Sequence, residues 1–146
     1  MSSHLGSKVY FFFEGVAPPI RSRKKLKQFI ISMFKDERRK LGSVNYVFST
    51  DTVVHKINRR YLNHDVLTDV ITFDLSENGA PVVGEIYISI DRVKENAIKH
   101  GVSFTNELHR VIFHGVLHLC GFGDKTIPEI KKMRGKENHY LTRYFG

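Results

Sequence analysis

The sequence contains little that would support an extracellular or membrane-embedded protein. Cysteine occurs once, at Cys120, and a single thiol cannot form an internal disulfide framework. We therefore predict a cytoplasmic protein with no disulfide-linked partner. Apolar runs fall far short of the roughly 20 residues of a membrane-spanning helix, which predicts that the chain makes no membrane contact. The opening stretch MSSHLGSKVYFFF has one lysine and no small-residue cleavage site, so we predict no signal peptide.

Acidic residues are fewer than basic ones. The chain has 15 Asp and Glu residues against 23 Lys and Arg residues, a formal net charge of +8, and its pI is near 9.7. A charge of this sign attracts polyanions, of which nucleic acid is the commonest, although basic composition can also serve solubility alone. The basic clusters lie at 21–25, 37–40, 58–60 and 131–136.

No repeat, low-complexity tract or linker interrupts the chain, and residues 1–146 are predicted to form one domain. Strand patterns fall at 8–15, 43–50, 70–73 and 81–90, and helical patterns at 20–42, 51–61, 92–100, 103–119 and 126–144. We expect Gly42 and Gly101 to end helices, and Asp51 and Asp91 to cap the helices that follow them. Strands and helices mix without regular βαβ alternation, so the predicted fold class is α+β.

The stretch HRVIFHGVLHLCGFGDK carries the main functional signal. His114 and His118 are four residues apart, which on an α-helix separates them by roughly 40° around the axis and about 6 Å along it. Two imidazoles placed in this way can aim at one point, as a metal ion requires. The pair alone is equally compatible with two helix histidines satisfied by ordinary hydrogen bonds.

A third candidate ligand follows ten residues after His114. From a continuous helix Asp124 could not reach the same point, because it would lie about 15 Å along the axis. Gly121 can take the left-handed conformation that ends a helix, and Gly123 adds a second permissive position. The pattern predicts a three-ligand metal site at His114, His118 and Asp124, with an open coordination position of the catalytic type.

The spacing H-x-x-x-H-x-x-G-x-x-D resembles the turn of the metzincin proteases. The glutamate that serves those proteases as general base is Gly115 here, which argues against peptide hydrolysis. Cys120 is two residues from His118 and therefore points to the other side of the helix, so we predict that it lies in the core.

Three blocks of the sequence resemble the YbeY family of bacterial endoribonucleases. HGVLHLCGFGD is similar to the family signature H-G-x-L-H-L-x-G-Y/F-x-H/D, and INRRYLNHDVLTDVITF to its L-N-x-x-Y-R-x-x-D-x-x-T-D-V-L-S-F. VGEIYIS is similar to the family's L-G-D-I-x-I-S, and Met133 and Glu137 fit its carboxy-terminal M-x-x-x-E. The blocks occur in the right order and together span residues 58–137.

This resemblance implies a compact α+β fold with a mixed β-sheet packed against helices. It implies one zinc ion per chain, held at the positions of His114, His118 and Asp124, although nickel, iron or cobalt could occupy the same shell. It also implies cleavage of single-stranded RNA, with roles in ribosomal RNA maturation and ribosome quality control. Expected partners are therefore single-stranded and ribosomal RNA, and the ribosome or its proteins.

The sequence departs from the family pattern at two positions. The commonest third ligand in the family is histidine, and here it is Asp124, whose negative charge should leave a bound water less acidic. The arginine that usually follows the tyrosine of the second block is Leu62. Arg59 or Arg60 could replace that arginine, but on a helix both would point elsewhere.

The catalytic residues other than the metal ligands are predicted only as candidates. Arg59, Arg60 and Lys125 could neutralise the RNA backbone, or the two arginines could be a solvated helix face. Glu85 or Glu107 could orient a metal ligand, with a surface position the expected alternative for Glu107. His64, His100, His109 and His139 are expected to be exposed.

Two rival functions remain open from the sequence. The chain could be a metal hydrolase of another substrate, such as a peptide or an ester. It could instead be a non-catalytic ribosome-associated factor in which the zinc ion mainly stabilises the fold.

Overall fold

The computed structural model describes residues 8–146, so the prediction about a signal peptide rests largely on residues outside the described part. The strands are β1 (Val9–Phe13), β2 (Leu41–Ser49), β3 (Val70–Asp74) and β4 (Val82–Ser89). They form one sheet in the order β1-β2-β4-β3, in which β1, β2 and β4 are parallel and β3 runs antiparallel to β4. The predicted α+β class with a mixed sheet is confirmed.

Helices connect and cover these strands. They are α1 (Arg23–Asp36), α2 (Asp51–Leu62), α3 (Ile90–His100), α4 (Phe104–Leu119) and α5 (Ile127–Phe145). Among residues 8–146, no helix is both long and apolar enough to cross a membrane.

The sheet presents one face to α4 and the opposite face to a more open surface. Alternation along β4 points Ile86 towards α4 and Glu85 away from it. A Cβ atom on Gly115 would lie 2.6 Å from Cδ1 of Ile86, so the backbone of α4 approaches the sheet more closely than a larger residue would permit. The Tyr46 hydroxyl on β2 donates a hydrogen bond of 2.9 Å to the Ile112 carbonyl, which fixes α4 along its axis. Cys120 is buried, as predicted.

Three of the predicted helix boundaries need correction. Gly42 does not end α1, because the helix ends at Asp36 and Arg38 takes the left-handed conformation with a φ of 59°. Gly42 instead lies in β2, at an irregularity of its pairing with β4.

The caps of α2 and α3 are also not the predicted aspartates. Thr50 caps α2 and Ser89 caps α3, each through its hydroxyl oxygen. Asp51 accepts hydrogen bonds from Ser89 (2.7 Å) and Arg92 (2.9 Å), and Asp91 accepts from the backbone N–H of Asp51 (2.8 Å). The two aspartates thus connect the starts of α2 and α3. Their carboxylates bond to groups of the other helix start instead of capping their own helix. Gly101 ends α3 in the left-handed conformation, as predicted.

Candidate metal centre

The two histidines of the motif lie one turn apart on α4. Their ring centroids are 4.5 Å apart and the rings are nearly perpendicular. The side chains of His114 and His118 retain 18% and 27% of their accessible surface, so both are reachable from solvent although α4 is otherwise largely buried.

The chain reverses direction immediately after α4. Gly121 has a φ of 100°, and the N–H of Phe122 donates to the Leu117 carbonyl at 3.0 Å, which closes the end of the helix. Gly123 does not have a positive φ, so the predicted permissive conformation is not used there, but its lack of a side chain leaves room for Glu129. A Cβ there would lie 2.9 Å from the carboxylate of Glu129, which accepts hydrogen bonds from the N–H groups at the start of α5.

This reversal brings Asp124 back to the histidines. Its Oδ2 atom lies 3.2 Å from Nε2 of His118 and 3.4 Å from Nε2 of His114. One ligand atom from each of the three residues falls within a group no wider than 4.8 Å. The sequence prediction that these three side chains share one point in space agrees with this arrangement.

The donor set suits a divalent transition metal. Two ligand atoms at about 2.0 Å from a tetrahedral ion lie about 3.3 Å from each other, close to both measured separations. Imidazole and carboxylate are ligands that zinc and its neighbours accept. The group can therefore hold a metal ion, and its partial exposure leaves room for a further ligand from solvent.

A buried carboxylate orients one of the two imidazoles. Glu137, on α5, places Oε2 2.7 Å from Nδ1 of His114, which leaves Nε2 directed towards Asp124. Burial lowers the pKa of the His114 imidazole, but the hydrogen bond and charge of Glu137 outweigh it, and the pKa is raised above its ordinary value. The negative charges of Glu137 and Asp124 favour a positive charge at His114, whether that charge comes from a proton or from a metal ion.

Arginine side chains hold Glu137 in place. Arg110 donates to Oε1 of Glu137 at 2.9 Å, and Arg134 approaches the same oxygen at 3.3 Å. Burial raises the pKa of Glu137, yet its bonds to His114 and Arg110 lower it overall, so the group is a carboxylate at neutral pH. A carboxylate behind a ligating histidine is the usual means of fixing its orientation.

His114, His118 and Asp124 lie in a cleft of about 760 Å³, called the metal cleft below. Asp69 and Glu107 line it as well, and burial raises the pKa of both carboxyl groups. Lys125 and Arg134 supply positive charge at its rim, and Leu62 lies in its wall. The cleft thus combines a possible metal site with two carboxyl groups that hold protons more readily than surface ones.

Two expectations of exposure are wrong. Glu107 is buried because it lies on the inward side of α4, beside the cleft, where Arg110 is 3.9 Å away. His109 is buried because the end of α5 covers it: its ring stacks on Tyr144, and Nδ1 lies 2.7 Å from the Thr105 carbonyl.

The remaining candidates lie away from His114, His118 and Asp124. Glu85 is on the face of the sheet opposite α4, because successive strand residues alternate between faces. It therefore does not orient His114, and Glu137 does so instead. Arg60 is with Glu85 in a second cavity of about 420 Å³. Arg59 is exposed on α2 and lines neither cavity. These residues are not brought together with His114, His118 and Asp124.

We call the second cavity the outer cavity, since it opens on the sheet face away from α4. Its walls come from α2, β3 and β4, and the side chains important below are Lys56, Arg60, Tyr61, Phe73, Glu85 and Tyr87. Sequence reasoning missed this cavity, and it missed the role of Glu137, whose only signal was the match to the M-x-x-x-E block.

Comparison with known proteins gives a consistent result. A family model described as endoribonuclease YbeY matches residues 18–145. The endoribonuclease YbeY of Amoebophilus asiaticus is 41% identical over 135 residues, covering 92% of both chains. That of Flavobacterium psychrophilum is 46% identical over 122 residues, covering 84% of this chain and 86% of the relative. The solution structure of TM1509 from Thermotoga maritima superposes with a TM-score of 0.67 at 28% identity, covering 93% of this chain and 89% of that one.

Proposed function

The chain belongs to the YbeY endoribonuclease family, and from this premise we propose that it cleaves single-stranded RNA at a metal centre formed by His114, His118 and Asp124. Endoribonucleases hydrolyse phosphodiester bonds, so the chain is an RNA-cleaving hydrolase. The observation that supports the metal centre most strongly is the separation of 3.2 and 3.4 Å between Asp124 and the two imidazoles. Zinc is the metal we propose, one ion per chain, because this donor set and these separations suit it.

When bound, the metal ion would supply Lewis-acid polarisation of a phosphoryl oxygen. The chain's own residues supply orientation and charge. Glu137 accepts a hydrogen bond from Nδ1–H of His114, and Arg110 holds Glu137 so that the imidazole keeps this orientation. Asp69 lines the same cleft, where burial raises the pKa of its carboxyl group and so favours its protonated form relative to an exposed aspartate.

Positive side chains beside the ligands favour a polyanionic substrate. Lys125 follows Asp124 directly, and Arg134 reaches the cleft from α5. Leu62 stands where the family pattern has an arginine, and Lys125 and Arg134 are the residues that we propose neutralise phosphate there. Single-stranded RNA suits such a cleft better than a peptide, which carries no regular negative charge.

The proposed substrate within the cell is ribosomal RNA, with the ribosome or its proteins as partner. This follows from the family and from the net charge of +8, which favours association with a large polyanion. The cytoplasm is the corresponding compartment.

Metal content and RNA cleavage of the same protein test the proposal. The unaltered chain, purified without a tag, should contain about one zinc ion and should cleave labelled single-stranded RNA. A double variant, His114→Ala with His118→Ala, should lose both while its circular dichroism spectrum is retained. His139→Ala removes an exposed histidine on α5 and is the matched control, which should keep both.

Other results would point to the rival functions. Loss of folding in the double variant, without RNA cleavage by the unaltered chain, would indicate a structural metal. Hydrolysis of peptides or esters, lost in the same variant and unaccompanied by RNA cleavage, would indicate a different hydrolase.

A further inference from the structure

We propose that the outer cavity holds one base of the RNA whose backbone occupies the metal cleft, an inference that rests on the proposed function. The aromatic side chains carry the first part of the argument. Tyr61 is 65% exposed, an unusual amount for a large ring, and its edge meets Phe73 with the ring centroids 6.2 Å apart. Tyr87 lies behind Phe73 at 5.9 Å, so the three rings form a continuous aromatic wall. Bases of single-stranded nucleic acid stack on such rings with little dependence on sequence.

The polar groups of the outer cavity match a nucleotide. Arg60 lies with its guanidinium 5.5 Å from the centre of the Tyr61 ring, and Lys56 lines the same cavity. Both can neutralise a phosphate next to the stacked base. A cavity of about 420 Å³ is within the size range of small-ligand sites.

Glu85 indicates that a base, and not a phosphate, enters the cavity. Its Oε1 accepts a hydrogen bond of 3.0 Å from the Tyr87 hydroxyl, which positions the carboxylate in the cavity wall. A carboxylate repels phosphate but accepts hydrogen bonds from the amino groups of cytosine, adenine and guanine. Uracil has no amino group, and its single N3–H donor lies between two carbonyl oxygens that a carboxylate repels, so Glu85 should disfavour it.

The outer cavity and the metal cleft adjoin. Tyr61 lines the first and the next residue, Leu62, lines the second, at the end of α2. On β3 the same change occurs between Thr72 and Phe73. Thr72 and Phe73 point to opposite faces of the edge strand β3, so one RNA strand that reaches both sites must pass around this edge.

Binding of labelled RNA to the full chain tests this inference separately from cleavage. Tyr61→Ala should weaken binding of a single-stranded oligonucleotide by about 5- to 100-fold, the usual effect of losing one stacked base. Tyr61→Phe keeps the ring and should restore binding. Phe12→Ala removes a ring of comparable exposure on β1, at the other edge of the sheet, and should bind as the unaltered chain does.

Kinetics and spectroscopy distinguish stacking from a structural effect. Tyr61→Ala should raise KM and leave kcat nearly unchanged, and the defect should disappear with a dinucleotide too short to reach the outer cavity. An oligonucleotide containing 2-aminopurine should lose fluorescence on binding the unaltered chain and Tyr61→Phe, but not Tyr61→Ala. Glu85→Gln should reduce the preference for cytosine-rich over uracil-rich oligonucleotides.

Equal RNA affinity and equal 2-aminopurine quenching in Tyr61→Ala and the unaltered chain would overturn the inference and favour an apolar protein segment as the occupant. Tyr61-dependent binding by a chain that cleaves no RNA would support the outer cavity while contradicting the proposed function. Cleavage that depends on His114 but is insensitive to Tyr61 would support the proposed function while contradicting a role of the outer cavity in RNA binding.

Discussion

His109 is a buried histidine whose protonation should oppose folding. Burial in the aromatic cluster with Tyr144 lowers its pKa below the ordinary value near 6.5, although the hydrogen bond to Thr105 partly offsets this. Because the folded chain then binds fewer protons than the unfolded chain, the stabilisation is complete above about pH 6.5 and is lost as the pH falls through the lower pKa of the folded state.

Replacement of this histidine should remove that dependence. Urea unfolding of metal-free protein should show that stability falls between about pH 7 and pH 5 more steeply for the unaltered chain than for His109→Gln, which cannot be protonated. Identical slopes for the two proteins would mean that His109 is protonated without penalty in the fold.

Glu137 should determine how tightly the metal centre binds its ion. Glu137→Gln keeps the size of the side chain but removes the charge that orients His114, and the affinity for zinc should fall by about 10- to 100-fold. Competition with a chromophoric chelator measures this affinity directly. Glu95→Gln makes the same change at an exposed position of α3 and should leave the affinity as it was. Equal affinities in both variants would assign the orientation of His114 to another group.

At this scale the sequence predicts that His114, His118 and Asp124 come together, but it does not predict the residues that surround them. The ligand geometry of His114, His118 and Asp124 follows from helical periodicity and a glycine, both of which are local in the chain. Glu137 reaches His114 from another helix, and Glu107 and His109 are buried by contacts that no local pattern encodes. Packing between distant segments of the chain buries Glu107 and His109. Residue type alone predicts that both are exposed.

Helix α4 can approach the sheet closely because Gly115 has no side chain. Alanine normally stabilises a helix interior by up to about 1 kcal/mol relative to glycine. At Gly115, however, the added Cβ would lie 2.6 Å from Ile86, so the helix must move or Ile86 must change its rotamer. We expect Gly115→Ala to destabilise the chain by about 1–3 kcal/mol, as measured by chemical denaturation.

A second glycine provides the matched control for this prediction. A Cβ on Gly135, in α5, would meet no atom within 4 Å, so Gly135→Ala should stabilise the chain by up to about 1 kcal/mol. The opposite signs of the two effects are the test. Stabilisation by Gly115→Ala would mean that α4 adjusts to the sheet at little cost.

The elements themselves were largely predictable, since each strand and helix forms close to its predicted position. The errors concern ends. Gly42 was expected to end α1 because glycine favours left-handed turns, but Arg38 makes that turn and Gly42 joins β2. The order of the strands could not be read from the sequence, because pairing of β2 with β4 joins segments far apart in the chain.

For the molecule as a whole, the excess of positive charge predicts RNA binding that depends strongly on salt. Each phosphate neutralised on a single strand contributes a slope of about −0.7 to the plot of log K against log salt concentration. Lys125→Gln should therefore make the slope less steep by about 0.7, while Lys94→Gln, on the exposed side of α3, should not change it. Equal slopes for the two variants would remove Lys125 from the RNA path.

The carboxylate that orients His114 lies on α5, after all three ligands in the chain. During translation the three proposed ligands therefore emerge before the carboxylate that orients His114. A nascent chain that has not yet added α5 should exchange metal ions freely, and the finished chain should retain the ion it holds when α5 docks. Metal retention should therefore follow the docking of α5, and a chain that ends before α5 should be a poor nuclease.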